Sequence, residues 1–411
     1  MEKADFDVII VGGGMVGCVL ACMLASNAET EHLGIAIVEA TETELEVYPN
    51  QFDARVVAVS NTSQQILSSL DVWPDVVKQR QCAYKEMFVW DGEGTANIQF
   101  SCHDIREAQL GFIVENNVIL RALFEKIESL KQITIIRPAR VKDIELSSID
   151  GAQTQNVILE YKSAIHGIQA GLVVAADGAR SAVRKIINIP TKEWDYGHDA
   201  IVTTIETELE HKQTAWQRFT ASGPIAMLPL SDDLDASKKQ NFCSLVWSAE
   251  AELASKLMEM NDATFCESLA RAFEYKLGRI KHADKRYAIS LRQRHAETYI
   301  RPGVALVGDA AHTVHPLAGQ GVNLGIYDVR ALSHEIARSQ VRNFSISDFS
   351  ILQRYERARQ SHNLLAMATM EGFKRLFAAE QPAATLLRNV GMRFFNQQNW
   401  LKKKLMLLAS G

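Results

Sequence analysis

The chain has 411 residues, 47% apolar and 23% charged, with 44 Lys plus Arg against 49 Asp plus Glu for a net charge of −5. This composition excludes a disordered chain, a collagen-like repeat and a disulfide-stapled miniprotein, and the length suits two or three structural units. No global basic field points to nucleic acid, and six cysteines without a C-x-x-C pair read as buried thiols of a reducing compartment.

Residues 8–28 carry no charge over 21 positions, about the length of a membrane span. Gly12, Gly13, Gly14 and Gly17 interrupt the stretch, and Glu2, Lys3, Asp5 and Asp7 ahead of it lack the positive region of a signal peptide. The pattern instead predicts a buried strand over 7–11, the turn Gly12-x-Gly14-x-x-Gly17 and a small-residue helix over 18–28. A second apolar run, 34–38, ends at Glu39, which lies 22 residues past Gly17. Strand, glycine turn, helix, strand and acid at this spacing point to a doubly wound dinucleotide site. Gly12 permits the tight turn, Gly14 lets a pyrophosphate approach a helix N-terminus, and Gly17 lets helix and strand pack closely. Glu39 can accept from both ribose hydroxyls and would repel a 2′-phosphate, which leaves NAD or FAD.

Further strands are expected over 133–137, 157–161 and 172–176. After Pro190, alternating β-branched and aromatic residues over 200–207 and 241–248 predict a mostly antiparallel sheet. A polar surface loop is expected over 231–240 and a helix over 263–277. A last apolar strand, 304–307, runs into Gly308-Asp309, and long helices follow from Val322. No internal repeat is visible. The expected organisation is a discontinuous nucleotide domain of 1–75, 108–190 and 296–345. A sheet domain of 76–107 and 191–295 is inserted in it, and C-terminal helices fill 346–411. From 381 to 411 there are five basic residues (Arg388, Arg393, Lys402, Lys403, Lys404) among many apolar ones and no acid. Two readings stay open: an amphipathic tail on an anionic membrane or partner, and a terminal helix closing the core.

Three more blocks decide the cofactor. Arg55 stands in Asp-Ala-Arg-Val-Val-Ala-Val-Ser, Asp177-Gly178 in Ala-Ala-Asp-Gly-Ala-Arg-Ser-x-x-Arg, and Gly308-Asp309 opens Gly-Asp-Ala-Ala-His-Thr-Val-His-Pro-Leu-Ala-Gly-Gln-Gly-Val-Asn-Leu-Gly. In this order, from Asp7 to about Phe377, the chain resembles the single-component flavoprotein aromatic hydroxylases. It is most similar to the ubiquinone-biosynthesis hydroxylases, through Trp194-Asp195-Tyr196, 111–117 and 308–325. The resemblance implies an α/β fold: a Rossmann-like FAD-binding domain of the para-hydroxybenzoate-hydroxylase kind with an inserted, mostly antiparallel sheet and a C-terminal helical region.

The same resemblance implies FAD, contacted by Gly12, Gly14, Gly17, Glu39, Arg55, Glu115, Asp177, Gly308 and Asp309. Gly319, Gly321, Val322 and Asn323 would present a helix N-terminus to the flavin pyrimidine edge, where free amides favour the anionic reduced ring. Pro316 and Leu317 would lie beside the flavin. No side chain is assigned as catalytic. NAD(P)H would reduce FAD as a transient donor, and O2 would give a flavin C4a-hydroperoxide that hydroxylates a polyprenylated phenol or benzoquinol on the route to ubiquinone. Candidates for the ring pocket are Trp216, Phe219, Met227, Leu228, Pro229, Trp247 and Leu317, with plain domain core as the competing reading for most of them. The implied partners are the prenylated substrate and, through the tail, a biosynthetic complex or the inner membrane face; homo-oligomerisation stays open, and the expected location is cytoplasmic.

Arg180 and Arg184 belong to a block that the resemblance links to FAD and NADPH, against which stands a solvated helix face. His312 and His315 lack a carboxylate or cysteine constellation, so they read as fixing a turn and not as metal ligands. His198 and His295 read as surface or interface histidines, and Cys18 with Cys22 as core packing. Three rivals are carried: a hydroxylase of a soluble aromatic acid, for which Arg218 would pair the carboxylate; a flavin reductase or isoprenoid epoxidase; and a flavin-binding assembly subunit with little turnover.

Overall fold

The computed structural model describes residues 4–42, 51–92, 94, 97–149, 152–231, 240–313 and 321–378, together with 398, 402, 403 and 406. Among these, the strands form sheets of eight, nine and three members.

The eight-stranded sheet has a parallel centre. Phe6–Val11 lies between Ile35–Val38 and the upper half of Ala164–Ala175, which pairs in turn with Val304–Leu306. Consecutive residues such as Val8, Ile9 and Ile10, or Leu172, Val173 and Val174, are all fully buried. Burial of both parities is what an uninterrupted apolar run requires of a strand covered on two faces. Val11 pairs with both Ala175 and Val38, so the three strands end level and deliver Gly12, Glu39 and Ala176 to one rim. The lower half of Ala164–Ala175 leaves this layer and pairs antiparallel with Ala152–Tyr161.

The nine-stranded sheet is antiparallel except where Glu86–Asp91 runs parallel to Thr214–Thr220. Its long strand Thr191–Thr207 pairs with Phe242–Glu250 on one side and Tyr287–Ala296 on the other. The helices Ala251–Glu259 and Asp262–Ala272 cover one face, through Ala254, Leu257, Phe265 and Leu269. The other face meets the three-stranded sheet of Val56–Ser60, Gly111–Glu115 and Cys82–Tyr84, with Ala215, Leu228 and Leu230 packed on Ala58 and Ile113.

Boundaries differ from expectation where caps decide them. The first helix is Met15–Ala25, three residues earlier than read, because Gly14 itself is the N-cap. The helix read over 263–277 stops at Ala272, because Glu274 and Tyr275 take left-handed φ of 54° and 51°. Most of the expected loop at 231–240 lies outside the described residues. The segment proposed as 76–107 divides: Cys82–Tyr84 joins the small sheet, whereas Glu86–Asp91 and Asn97–Ser101 join the large one. Long helices follow at Gly321–Val341 and Phe349–Ala378. No helix among the described residues is long and apolar enough to cross a membrane. Of the tail, Lys402 and Met406 are buried and Lys402 Nζ lies 3.6 Å from Asp104, whereas Lys403 is exposed; the remaining residues of 381–411 that carry its pattern, among them Arg388, Arg393 and Lys404, lie outside the described residues.

Candidate functional site

The first glycine turn is built by exclusion. Gly12 has φ +111°, and a Cβ there would stand 2.3 Å from the Ala176 carbonyl oxygen; one on Gly17 would stand 2.1 Å from that of Gly12. Neither position admits a side chain. Gly14 is different: it is exposed, and a Cβ would meet nothing within 4 Å. It opens a helix whose N-terminus has no side-chain cap and no acid in its first turn, leaving amides and dipole for an anion. Glu39 stands beside this turn, with Oε2 accepting from the Gly13 amide at 2.7 Å and Oε1 from the Thr41 amide and hydroxyl. Cys18 and Cys22 on this helix are fully buried, and burial pushes the Cys22 thiol up to about 12.

The second rim comes from Asp177 and the turn Gly308–Ala310. Asp177 Oδ2 caps the short helix Ala182–Ile186 by accepting from the Ala182 and Val183 amides at 2.7 and 3.1 Å, while its Oδ1 is buried without a partner. Arg184 lies on neither of its expected sites. It is 4% exposed and donates to the carbonyls of Ala310 and Ala179 at 2.7 and 2.9 Å, stitching the two motifs together. Burial and then the charge of Arg294 lower its pKa. Arg180 is exposed. Gly308 takes φ +56°, and Asp309 beside it is exposed between the buried Gly308 and Ala310. Desolvation raises the Asp309 pKa, with His312 opposing.

Two expected contacts, Glu115 and Asn323, have their side chains occupied elsewhere. Glu115 is buried, with Oε1 accepting from the Asp53 amide at 2.7 Å and from Arg80 at 2.9 Å, and Oε2 paired with Arg80 Nε at 2.9 Å. Burial raises its pKa, against the Asp53 amide and Arg80. It therefore clamps the segment leading to Arg55, whose own side chain is exposed. Asn323 is likewise turned inward: its Oδ1 accepts from the Ser60 amide and its Nδ2 donates to the Ala58 carbonyl at 2.8 Å. Its side chain thus docks the start of the helix Gly321–Val341 on the strand Val56–Ser60. Gly321 and Val322 are half-buried at the helix start. Pro316, Leu317, Gly319 and His315 lie outside the described residues.

Strand alternation splits the ring-pocket candidates. Trp216, Met227 and Trp247 face the covering helices: Trp216 touches Phe88 and Trp90, and Trp247 lies 6.4 Å from Phe265. They are domain core, as is the parity of Pro229, which sits two residues past Met227 on the same strand. Leu228 faces the three-stranded sheet, and Phe219 packs with Val89 and Ile98 on that same side. Arg218 is also on the helix side, engaged by Glu274 at 2.9 Å and by the carbonyls of Ala272 and Gly92.

The histidines need correction. His295 is buried, its Nε2 3.0 Å from the Tyr299 hydroxyl, and burial followed by the nearby His312 lowers its pKa to about 4. His312 does fix the turn, through Asp328 at 2.5 Å. Sequence reading missed Asp328, Arg359 and Arg80. Asp328 had a signal: an acid on a helix face whose neighbours Gly325, Ile326, Val329 and Leu332 are buried. Arg80 had none, because its partner lies 35 residues away.

An exposed Gly14 before an uncapped helix, a carboxylate at the end of the second strand and an exposed Asp309 at the opposite turn fit an extended dinucleotide. The comparisons agree. Residues 5–368 match the family model described as FAD binding domain. The chain is 34% identical over 411 residues to 3-demethoxyubiquinol 3-hydroxylase of Escherichia coli, covering 100% of both. It is 33% identical to the mitochondrial ubiquinone biosynthesis monooxygenase COQ6 of Xenopus tropicalis, covering 99% of this chain and 94% of that one. Among solved structures, p-nitrophenol 4-monooxygenase PnpA from Pseudomonas putida superposes with a TM-score of 0.76 at 18% identity, covering 100% of this chain and 99% of the other. PqsL of Pseudomonas aeruginosa gives 0.75 at 19%, covering 95% and 99%. These two share the fold.

Proposed function

Because the chain belongs to the FAD-binding monooxygenase family, we propose that it hydroxylates the aromatic ring of a polyprenylated phenol or benzoquinol intermediate of ubiquinone biosynthesis. The balance is one NAD(P)H, one proton, one O2 and one ring C–H giving NAD(P)+, water and a ring C–O–H. Bound FAD supplies the two-electron transfer from the nicotinamide and the activation of O2. The protein supplies position and dryness. The turn Gly12–Gly17 and the N-terminus of Met15–Ala25 hold the pyrophosphate, Glu39 the ribose hydroxyls, and Asp309 a ribityl hydroxyl. Leu228 and Phe219, on the sheet face toward the small sheet, keep water from the reacting ring.

Full-length similarity to two relatives named for ubiquinone biosynthesis carries the substrate class. The rival acting on a soluble aromatic acid loses its residue, since Arg218 is held by Glu274 and two carbonyls. In cells lacking this protein, quinone profiling is expected to show one under-hydroxylated prenylated intermediate, restored by the intact gene. An unchanged quinone pool, with NAD(P)H oxidation stimulated only by a soluble aromatic acid, overturns the proposal. A polyprenylated phenol is nearly insoluble, so the enzyme meets it at a membrane or within a complex, and the basic tail is the proposed contact. Deleting 381–411 is expected to weaken cosedimentation with anionic liposomes while FAD content survives; unchanged cosedimentation removes the tail from this role.

A further inference from the structure

Four donors from two segments converge on one buried carboxylate. Asp328, in the middle of Gly321–Val341, is fully buried. Its Oδ2 accepts from His312 Nε2 at 2.5 Å and from the Gly308 amide at 3.1 Å. Its Oδ1 accepts from Arg359 Nε at 2.8 Å and Asn363 Nδ2 at 3.0 Å. Arg359 is held in turn by Asn363 Oδ1 at 2.8 Å. Burial alone would raise the carboxyl, but His312 and Arg359 hold it below the usual aspartate range.

Such a cluster is a poor way to gain stability, since well-packed apolar residues of the same volume often do as well. Its geometry has a narrower consequence. Gly308 and His312 bracket Asp309, one position before it and three after. Both are tied to the same carboxylate, and that carboxylate is tied to the helix Phe349–Ala378. The strand before the turn is held by the same helix, because the Tyr355 hydroxyl donates to the Leu306 carbonyl at 2.7 Å.

We propose that Asp328 is a positioning residue for the cofactor: by anchoring the Gly308 amide and the His312 imidazole, it sets where the Asp309 carboxylate stands in the cleft, with Arg359 and Asn363 fixing Asp328 from the C-terminal helix. None of these four side chains touches the cofactor in this scheme. The proposal rests on the reading that Asp309 faces FAD.

The test titrates FAD into folded apo-protein of Asp328→Asn, His312→Ala, His312→Gln and Arg359→Lys. It is run at a temperature where circular dichroism shows each variant folded, with visible spectrum and Tm recorded beside it. Residues that orient a binding group typically cost about 10- to 100-fold in affinity when lost. Asp328→Asn and His312→Ala are expected to weaken FAD binding within that range and to shift the flavin band. His312→Gln, whose side-chain amide can replace the lost donor, is expected to recover most of the affinity, and Arg359→Lys, which keeps charge but not the planar fork, to fall between. Lowered Tm with unchanged FAD affinity and spectrum overturns the proposal. If Asp328→Asn does not fold, the His312 pair decides, since it leaves the Asp328–Arg359 pair intact. A wild-type protein that refuses FAD sinks the reading of Asp309, whereas a wild type and variants that bind equally well sink only the positioning role.

Discussion

The eight-stranded sheet buries both parities of its parallel strands, whereas the nine-stranded sheet has helices on one face and the small sheet on the other. In the first, the level strand ends bring Gly12, Glu39 and Asp177 together. In the second, the two parities of a strand are separated, so adjacent residues such as Met227 and Leu228 pack into different cores. A motif can therefore mark a site in one sheet, while in the other only the three-dimensional partner of each strand can.

The most severe way to break this contrast is at the first rim. Gly17→Ala is expected to abolish soluble yellow protein, because its Cβ meets the Gly12 carbonyl oxygen at 2.1 Å and backbone cannot yield as a flexible side chain can. Gly14→Ala, with open space around its Cβ, should fold with an unchanged Tm and lose FAD affinity alone. Equal behaviour of the two, read by absorbance and Tm, would remove the distinction. Next is Arg80→Met, which strands the buried Glu115 carboxylate and should cost roughly 3–5 kcal/mol by denaturant titration. Retention of wild-type stability would show that the clamp is dispensable.

The two faces are separated by Met227→Ala and Leu228→Ala. The first should cost about 2–5 kcal/mol with KM unchanged, while the second should alter KM for the prenylated ring at a smaller cost in stability. A KM effect confined to Met227→Ala would reverse the assignment of faces. A gentler probe is pH. His211 is buried, its Nδ1 accepting from the Gln213 amide and its Nε2 lying 3.0 Å from the Leu230 carbonyl, and burial lowers its pKa to about 4. His295 is lowered to about 4 as well. The unfolded chain, with histidines near 6.5, binds more protons than the folded one between pH 6.5 and 4. Stability from these groups is thus present above 6.5 and is lost as pH falls, on the order of 2 kcal/mol each by pH 5. Replacing both by Gln should flatten the difference in Tm between pH 7 and pH 5; an unaltered slope would mean that neither is held neutral. Smallest is Lys402→Ala, whose ion pair with a partly exposed Asp104 at 3.6 Å should matter by less than about 1 kcal/mol.

What could be read in advance follows the range of the interactions. The strand, glycine turn and first helix were legible because their constraints act within a few residues, as was Glu39 at the end of the next strand. The side-chain partners of Asn323, Ser60 and Ala58, lie 263 and 265 positions away and left no local signal. Arg184 and His295 were read as exposed or ambiguous because polar residues usually are; Arg184 donates to Ala310, 126 positions away, and His295 lies opposite His312 in the sheet, neither of which local pattern reveals. Alternation on Thr214–Thr220, Gly223–Leu230 and Phe242–Glu250 announced two faces but not which one the helices would take, and Trp216, Met227 and Trp247, offered for the ring pocket with domain core as the competing reading, pack under the helices.

The cluster around Asp328 also has a consequence for biosynthesis. The ribosome releases the glycine turn about 350 residues before Asn363, and at 5–20 residues per second this interval is roughly 20–70 s. Throughout it the nascent chain carries one half of a nucleotide clasp whose other half is not yet made. On the proposed roles of these turns, flavin binds only once the chain is nearly complete.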